Sequence, residues 1–315
     1  MFTRYWCITM FIVGFIGHSL NLYVFTRRTL RFNPCVRYLI ASSIAGYLII
    51  FIILPLRLLQ FGYNISLFVP SIILCKYLTF LCSWIRILPC WFIALASVDR
   101  YFFTSSSRIL NSWSSIRASN CFIFLSIVFV GLTQTPILFY FTIDPQIRRC
   151  LGQPNSFQKF NGILIMIMWS FIPSLAMLIF GFLTINNTQK LAQNITGQNI
   201  TKPKRKRTKF LDRQLIQITL IQSILFGLTS AAGAIGGMHN VLNNNLRKDR
   251  IALARQSLIG NILSFIGLLS PCISFYLCTL SSRLFRRKLI KLFHVRQQNH
   301  VQSVTNGLHM SLRTR

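Results

Sequence analysis

The stretch "ALASVDRYFFTSS", Ala94 to Ser106, decides how the chain is read. A long apolar run ends in it, and an acid–base pair, Asp99 and Arg100, stands at the edge of that run. The acid is the scarcer partner: among 315 residues there are four acidic side chains, all Asp, against 34 Lys and Arg. An arginine closing an apolar helix ordinarily snorkels toward water or phosphate. An adjacent Asp can instead hold the guanidinium by a charge-assisted hydrogen bond, keeping it at the mouth of a helix bundle.

The rest of the chain fits a bundle in a membrane. Hydrophobic residues make up 53% and charged residues 12%, with a mean hydropathy of +0.53, well outside the range of a soluble chain of this size. Crossing a hydrocarbon core of about 30 Å takes roughly 20 mostly apolar residues in a helix. Runs of that kind cover about 5–25, 38–60, 77–98, 121–141, 161–185, 214–235 and 256–280. The expectation is an all-α membrane protein, a seven-transmembrane helix bundle. The sixth run is the weakest, being interrupted by Gly227 and Gly233. The first run follows Arg4 as a signal peptide would, but its apolar part is too long and no small-x-small site follows. Arg27-Arg28 after it reads as a stop-transfer flank.

Basic residues orient the bundle. With the N-terminus outside, the inner segments hold Arg27, Arg28, Arg31, Arg37, Arg100, Arg108 and Arg117. "KPKRKR" (Lys202–Arg207) lies between runs five and six, and Arg283, Arg286, Arg287, Lys288 and Lys291 follow run seven. An odd number of spans then leaves the C-terminus in the cytoplasm of a plasma-membrane protein. The net charge of +30 and "KPKRKR" resemble a nucleic-acid patch in composition alone. Between two spans, the basic cluster reads as a contact with anionic lipid, so membrane lipid and no nucleic acid is the expected partner. Of the N-x-S/T sequons, Asn64 alone is expected outside, while Asn186, Asn194 and Asn199 fall in the third inner loop.

Counting back 25 residues from Arg100 reaches Cys75 at the outer start of the third run, and a second cysteine, Cys150, lies between runs four and five. Asp99-Arg100-Tyr101 in this setting, Pro173 in run five and "SPCISFY" (Ser270–Tyr276) in run seven follow the same pattern. After run seven, "SSRLFRRKLIKLF" alternates basic and apolar residues as an interfacial helix does. The chain resembles a divergent rhodopsin-like (class A) G-protein-coupled receptor over nearly its whole length. The resemblance implies a Cys75–Cys150 disulfide tying the third helix to the following outer loop. It implies a receptor domain over 1–295, with a membrane-parallel helix at about 281–293 and a short basic cytoplasmic tail at 296–315. An extracellular ligand would bias the bundle, and its inner mouth would engage a heterotrimeric G protein. Arg100 would be restrained at rest by Asp99 and by a second acid, for which Asp212 is the candidate. Asp212 reads equally as a solvated loop charge or a helix-start residue.

The chain also departs from that family. Gly17-His18 stands where the resemblance expects Gly-Asn, Gly46 where it expects a buried Asp, and Ser270 before Pro271 where it expects Asn. Tyr276 comes two places late, run six has no C-W-x-P, and no acid lies inside any run. A bound sodium ion is therefore not expected, nor is any other metal or cofactor. His18, with no second ligand near it in a run, reads as a packing histidine.

Arg86 is the most informative residue for a ligand. It lies 11 residues, about 16 Å of helix, beyond Cys75 and near mid-bilayer, on the same helical stripe. A charge there costs about 2.5–3.5 kcal/mol on insertion scales and so faces the bundle interior. It reads either as a cation satisfied by carbonyls, waters and hydroxyls or as the counter-charge for an anionic ligand. Around it, Cys82 and Ser83 offer no amine anchor, and run seven has no Lys for retinal. The ligand class stays open between a peptide and an anionic small molecule. An enzyme is excluded by the missing carboxylate pairs and Cys/His dyads. A seven-span transporter lacks the internal repeat such proteins carry. A receptor fold that no longer signals and a seven-span membrane transporter are the alternatives.

Overall fold

Three polar residues set where helices begin. Asn33, Ser71 and Ser115 each take an extended backbone, and each side chain accepts a hydrogen bond from the helix it precedes: Cys35 N, Ile73 N and Ala118 N respectively. Behind these caps the helices run as continuous apolar spans. The computed structural model describes residues 2–27, 30–144, 149–152, 156–195, 216–217 and 219–231, and parts of 258–276.

Five of the described helices are long and apolar enough to cross a membrane: Thr3–Phe25, Pro34–Gly62, Ile72–Thr104, Ile116–Tyr140 and Phe160–Lys190. They are numbered here as spans one to five. They correspond to the first five apolar runs, each extended at one or both ends, and in spans two, three and four the extension begins behind a capping residue outside the apolar stretch. A shorter apolar helix, Thr219–Ala231, falls within the sixth run. Of the seventh run, short helical pieces are described, and the amphipathic segment at 281–293 lies outside the described residues.

Spans two and five contain π-helical turns, Ile49–Ile53 and Leu58–Gly62 in the one and Ile167–Phe171 in the other. Proline explains two of these turns. Pro55 and Pro173 lack a backbone donor and crowd the carbonyl four residues earlier, which belongs to Phe51 and Trp169. Both carbonyls lie in the widened turns, which relieve the clash. Span three carries Pro89 within an unbroken α-helix.

Span three is the axis of the bundle and packs on spans two, four and five. Indole N–H groups fasten it: Trp84 Nε1 donates to Ile127 O at 3.0 Å and Trp91 Nε1 to Met168 O at 2.9 Å. The faces are those of a protein in lipid. Phe124, Leu132, Phe139, Leu178 and Phe182 are exposed, while His18, Asn21, Ser97 and Gln134 are buried. His18 owes its place to Gly46, because a Cβ on Gly46 would collide with the imidazole. The residue of span two that stands where the resemblance expects an acid is thus the space that His18 fills.

One element departs from the all-α expectation. Strands β1 (Phe141–Asp144) and β2 (Arg149–Gly152) form an antiparallel hairpin, with Ile143 opposite Cys150. Cys150 is bonded to Cys75 near the start of span three, with 5.6 Å between their Cα atoms, inside the usual disulfide range. The bond pins β2 over that end of the bundle, and the hairpin satisfies the backbone groups of a loop held against it.

Candidate functional site: two arginines of span three

At the end of span three away from the disulfide, Asp99 and Arg100 are buried, with 3% and 1% of their side chains exposed. Arg100 Nη2 lies 2.9 Å from Asp99 Oδ2 and 2.8 Å from Asn33 Oδ1. The same Asn33 oxygen accepts Cys35 N–H at 3.1 Å, so one carbonyl both caps span two and holds the arginine. The other Asp99 oxygen accepts the Ser114 hydroxyl at 2.9 Å. Ser114 follows the short helix Arg108–Trp113, so the segment between spans three and four is tied to the same acid. The guanidinium also lies over Phe103, 5.1 Å from the ring centre. A buried ion pair is tolerated only when its remaining donors and acceptors are supplied, and here several of them are.

Tyr101 does not join this cluster. Its ring packs against Phe180 of span five at 5.5 Å. Asp212, Ser270 and Pro271 lie outside the described residues. Tyr276 donates its hydroxyl to Val13 O of span one at 3.2 Å and packs on the cluster of Val24, Phe25, Leu30, Val36 and Leu39. Asn33 and Ser114 escaped the sequence reading. Asn33-Pro34 carries the signature of a helix start, which marks the cap but not the contact with a residue 67 positions away.

At the disulfide end, a cavity of about 340 Å³ opens between spans two, three and five beneath the hairpin. Phe141 and Cys150 line it on the hairpin side, and Thr79 Oγ1 lies 3.4 Å from Cys150 Sγ. Arg86, Cys82 and Ser83 all line it, so the structure brings the three candidate ligand residues together. Arg86 lies over the Trp169 ring at 5.8 Å, and its Nε is buried with no hydrogen-bond partner among the described residues. Trp169 sits in the π-turn of span five and presses on Gly267, where an added Cβ would come 2.7 Å from the indole. The lining holds a second cation, Arg57 of span two, whose guanidinium lies 5.4 Å from the Phe61 ring centre. The described lining contains no carboxylate.

The sequence profile of the family described as 7 transmembrane receptor (rhodopsin family) matches residues 18–274. The chain belongs to that family. It is therefore a multi-pass membrane receptor, and the disulfide between span three and the β-hairpin is part of its fold. A search of curated proteins gives no match that would narrow the assignment. Among the described residues no group of three or more His, Cys, Asp or Glu is placed to hold a metal ion.

Proposed function

We propose that this receptor couples an extracellular ligand to a heterotrimeric G protein across the plasma membrane. The disulfide end faces outward and the Asp99–Arg100 end faces the cytoplasm, in line with the basic segments that follow spans one, three and five. The receptor domain spans 1–295, with a basic tail after it. In this reading Arg100 is the switch. At rest its guanidinium is held by Asp99 and Asn33, and activation frees it for the G protein. The observation that carries the reading is the burial of Arg100 among supplied acceptors at the mouth of a bundle whose family is that of rhodopsin.

The ligand enters the cavity under the hairpin, and Arg86 is its counter-charge. An anionic small molecule or an acidic peptide end suits a guanidinium whose Nε has no partner among the described residues. Cys82 and Ser83 shape the floor around it. Outer basic residues such as Lys76 and Arg149 add a field that steers anions inward.

The test is co-expression with a panel of G proteins and measurement of basal nucleotide exchange. Wild type should exceed Arg100→Ala, and Asp99→Asn, which weakens the restraint, should exceed wild type. No basal exchange in wild type or Asp99→Asn, with normal surface expression, would mark a receptor that folds but does not signal.

A further inference from the structure

Arg57 changes what the cavity can accept. It comes from span two, Arg86 from span three, and both line the same 340 Å³ space. Cys82, one turn before Arg86 on span three, lines the same space, so both guanidinium-bearing side chains and this thiol border one cavity. Neither faces a carboxylate in the described lining. The remaining polar lining is neutral: Gln60, Thr79, Ser83 and Asn161 offer hydrogen bonds without charge.

We propose that this cavity is a two-arginine site for a small dianionic group, with a phosphate monoester as the best chemical fit. The proposal rests on the reading of the cavity as the ligand pocket and of Arg86 as its counter-charge. Each guanidinium presents a planar fork of donors that matches phosphate oxygens. Two cations bordering one cavity repel each other, and a single negative charge offsets that repulsion only in part, whereas a dianion neutralises the pair. The volume corresponds to roughly ten waters at about 30 Å³ each, enough for a phosphate and a compact organic group. The apolar walls supplied by Ile53, Leu56, Phe61 and Phe68 are placed to pack that group.

The probes are phenyl phosphate, a dianion at pH 7.5, and methyl phenyl phosphate, which has the same ring and one charge. Thermal unfolding of the full-length receptor in detergent is followed as each is titrated. Wild type should respond to phenyl phosphate at a concentration at least tenfold lower. Arg57→Gln should abolish that preference and leave a weak response to both probes. Arg57→Lys, which keeps the charge, should retain it and shows whether loss in Arg57→Gln is merely a folding defect. Arg86→Gln should remove both responses. The second ionisation of a phosphate monoester lies near pH 6, so the preference should shrink as pH falls from 7.5 to about 5.5. Equal responses of wild type to the two probes overturn the two-arginine site. If Arg86→Gln still abolishes those equal responses, Arg86 remains the counter-charge. A wild-type response to neither probe removes the anion site altogether, while coupling to a G protein is decided separately by the Arg100→Ala comparison.

Discussion

Arg86 and Arg100 lie on one helix, 14 residues apart, and the protein treats them in opposite ways. Arg100 has been given an acid, a carbonyl and an aromatic face, all supplied by its own chain. Arg86 has an indole face and a buried Nε without a partner among the described residues, and it shares its cavity with another cation. A buried charge is costly wherever it lies. Where the chain meets that cost internally, the charge holds two helices and a loop segment in one arrangement. Where the chain leaves it unmet, the charge is available to something that arrives from outside. In the function proposed above, the difference between a latch and a ligand site lies in who supplies the acceptors.

The same substitution at the two positions is the sharpest way to break this comparison. Arg100→Gln strands Asp99 in a buried site, and removing one partner of a buried pair costs about 3–5 kcal/mol. It should give the largest fall in melting temperature of the purified receptor. Arg86→Gln removes a cation that no described group neutralises. It should leave the melting temperature of the ligand-free receptor unchanged or raised, since a charge at that depth costs about 2.5–3.5 kcal/mol on insertion scales. Equal losses at both positions would show that Arg86 is as well supplied as Arg100.

Next in size is the disulfide. Cys150→Ala frees a bridge that closes 75 residues of chain, and such losses cost about 2–5 kcal/mol. The effect should be polarised. Response to an anionic probe should fall with the hairpin, while the ratio of basal exchange between Asp99→Asn and its parent should stay the same in the Cys150→Ala background. Smaller again is Asn33→Ala, which removes a helix cap worth about 0.5–2 kcal/mol and one acceptor of Arg100. Basal nucleotide exchange should rise, and Asn33→Asp, which keeps both the cap and the acceptor, should restore it. The smallest effect is expected from Ser114→Ala, which loses one hydrogen bond from a half-buried serine to a charged acceptor, below the roughly 1.5–3 kcal/mol of a fully buried one, whereas Asn33→Ala loses a cap and a charged hydrogen bond together. A modest rise in basal exchange, below that of Asn33→Ala, would fit.

The spans were the most legible part of the chain because lipid demands about 20 apolar residues in a row, and that demand is local. Their ends were less so: Asn33, Ser71 and Ser115 sit in polar flanks, and their capping bonds extend the helices past the apolar cores. The hairpin left no readable pattern, since strands of four residues carry too few alternations to show a period. Arg86 stood out because it interrupts the centre of a run. Arg57 did not, because "LPLRLLQFG" reads as the end of a span where an arginine reaches for the interface. Only packing turns it toward span three. Asn33 illustrates the same limit, as its cap is a local matter and its contact with Arg100 is not.

The fit of His18 into the space above Gly46 makes the residues tolerated at the two positions depend on each other. Introducing Asp at Gly46 while His18 is present must displace an imidazole from a close-packed interior, so that single change should be blocked even though its charge would be welcome in so basic a chain. Changing His18 to a smaller residue first opens a vacancy that a carboxylate can then enter. A route to an acid in span two therefore runs through span one first.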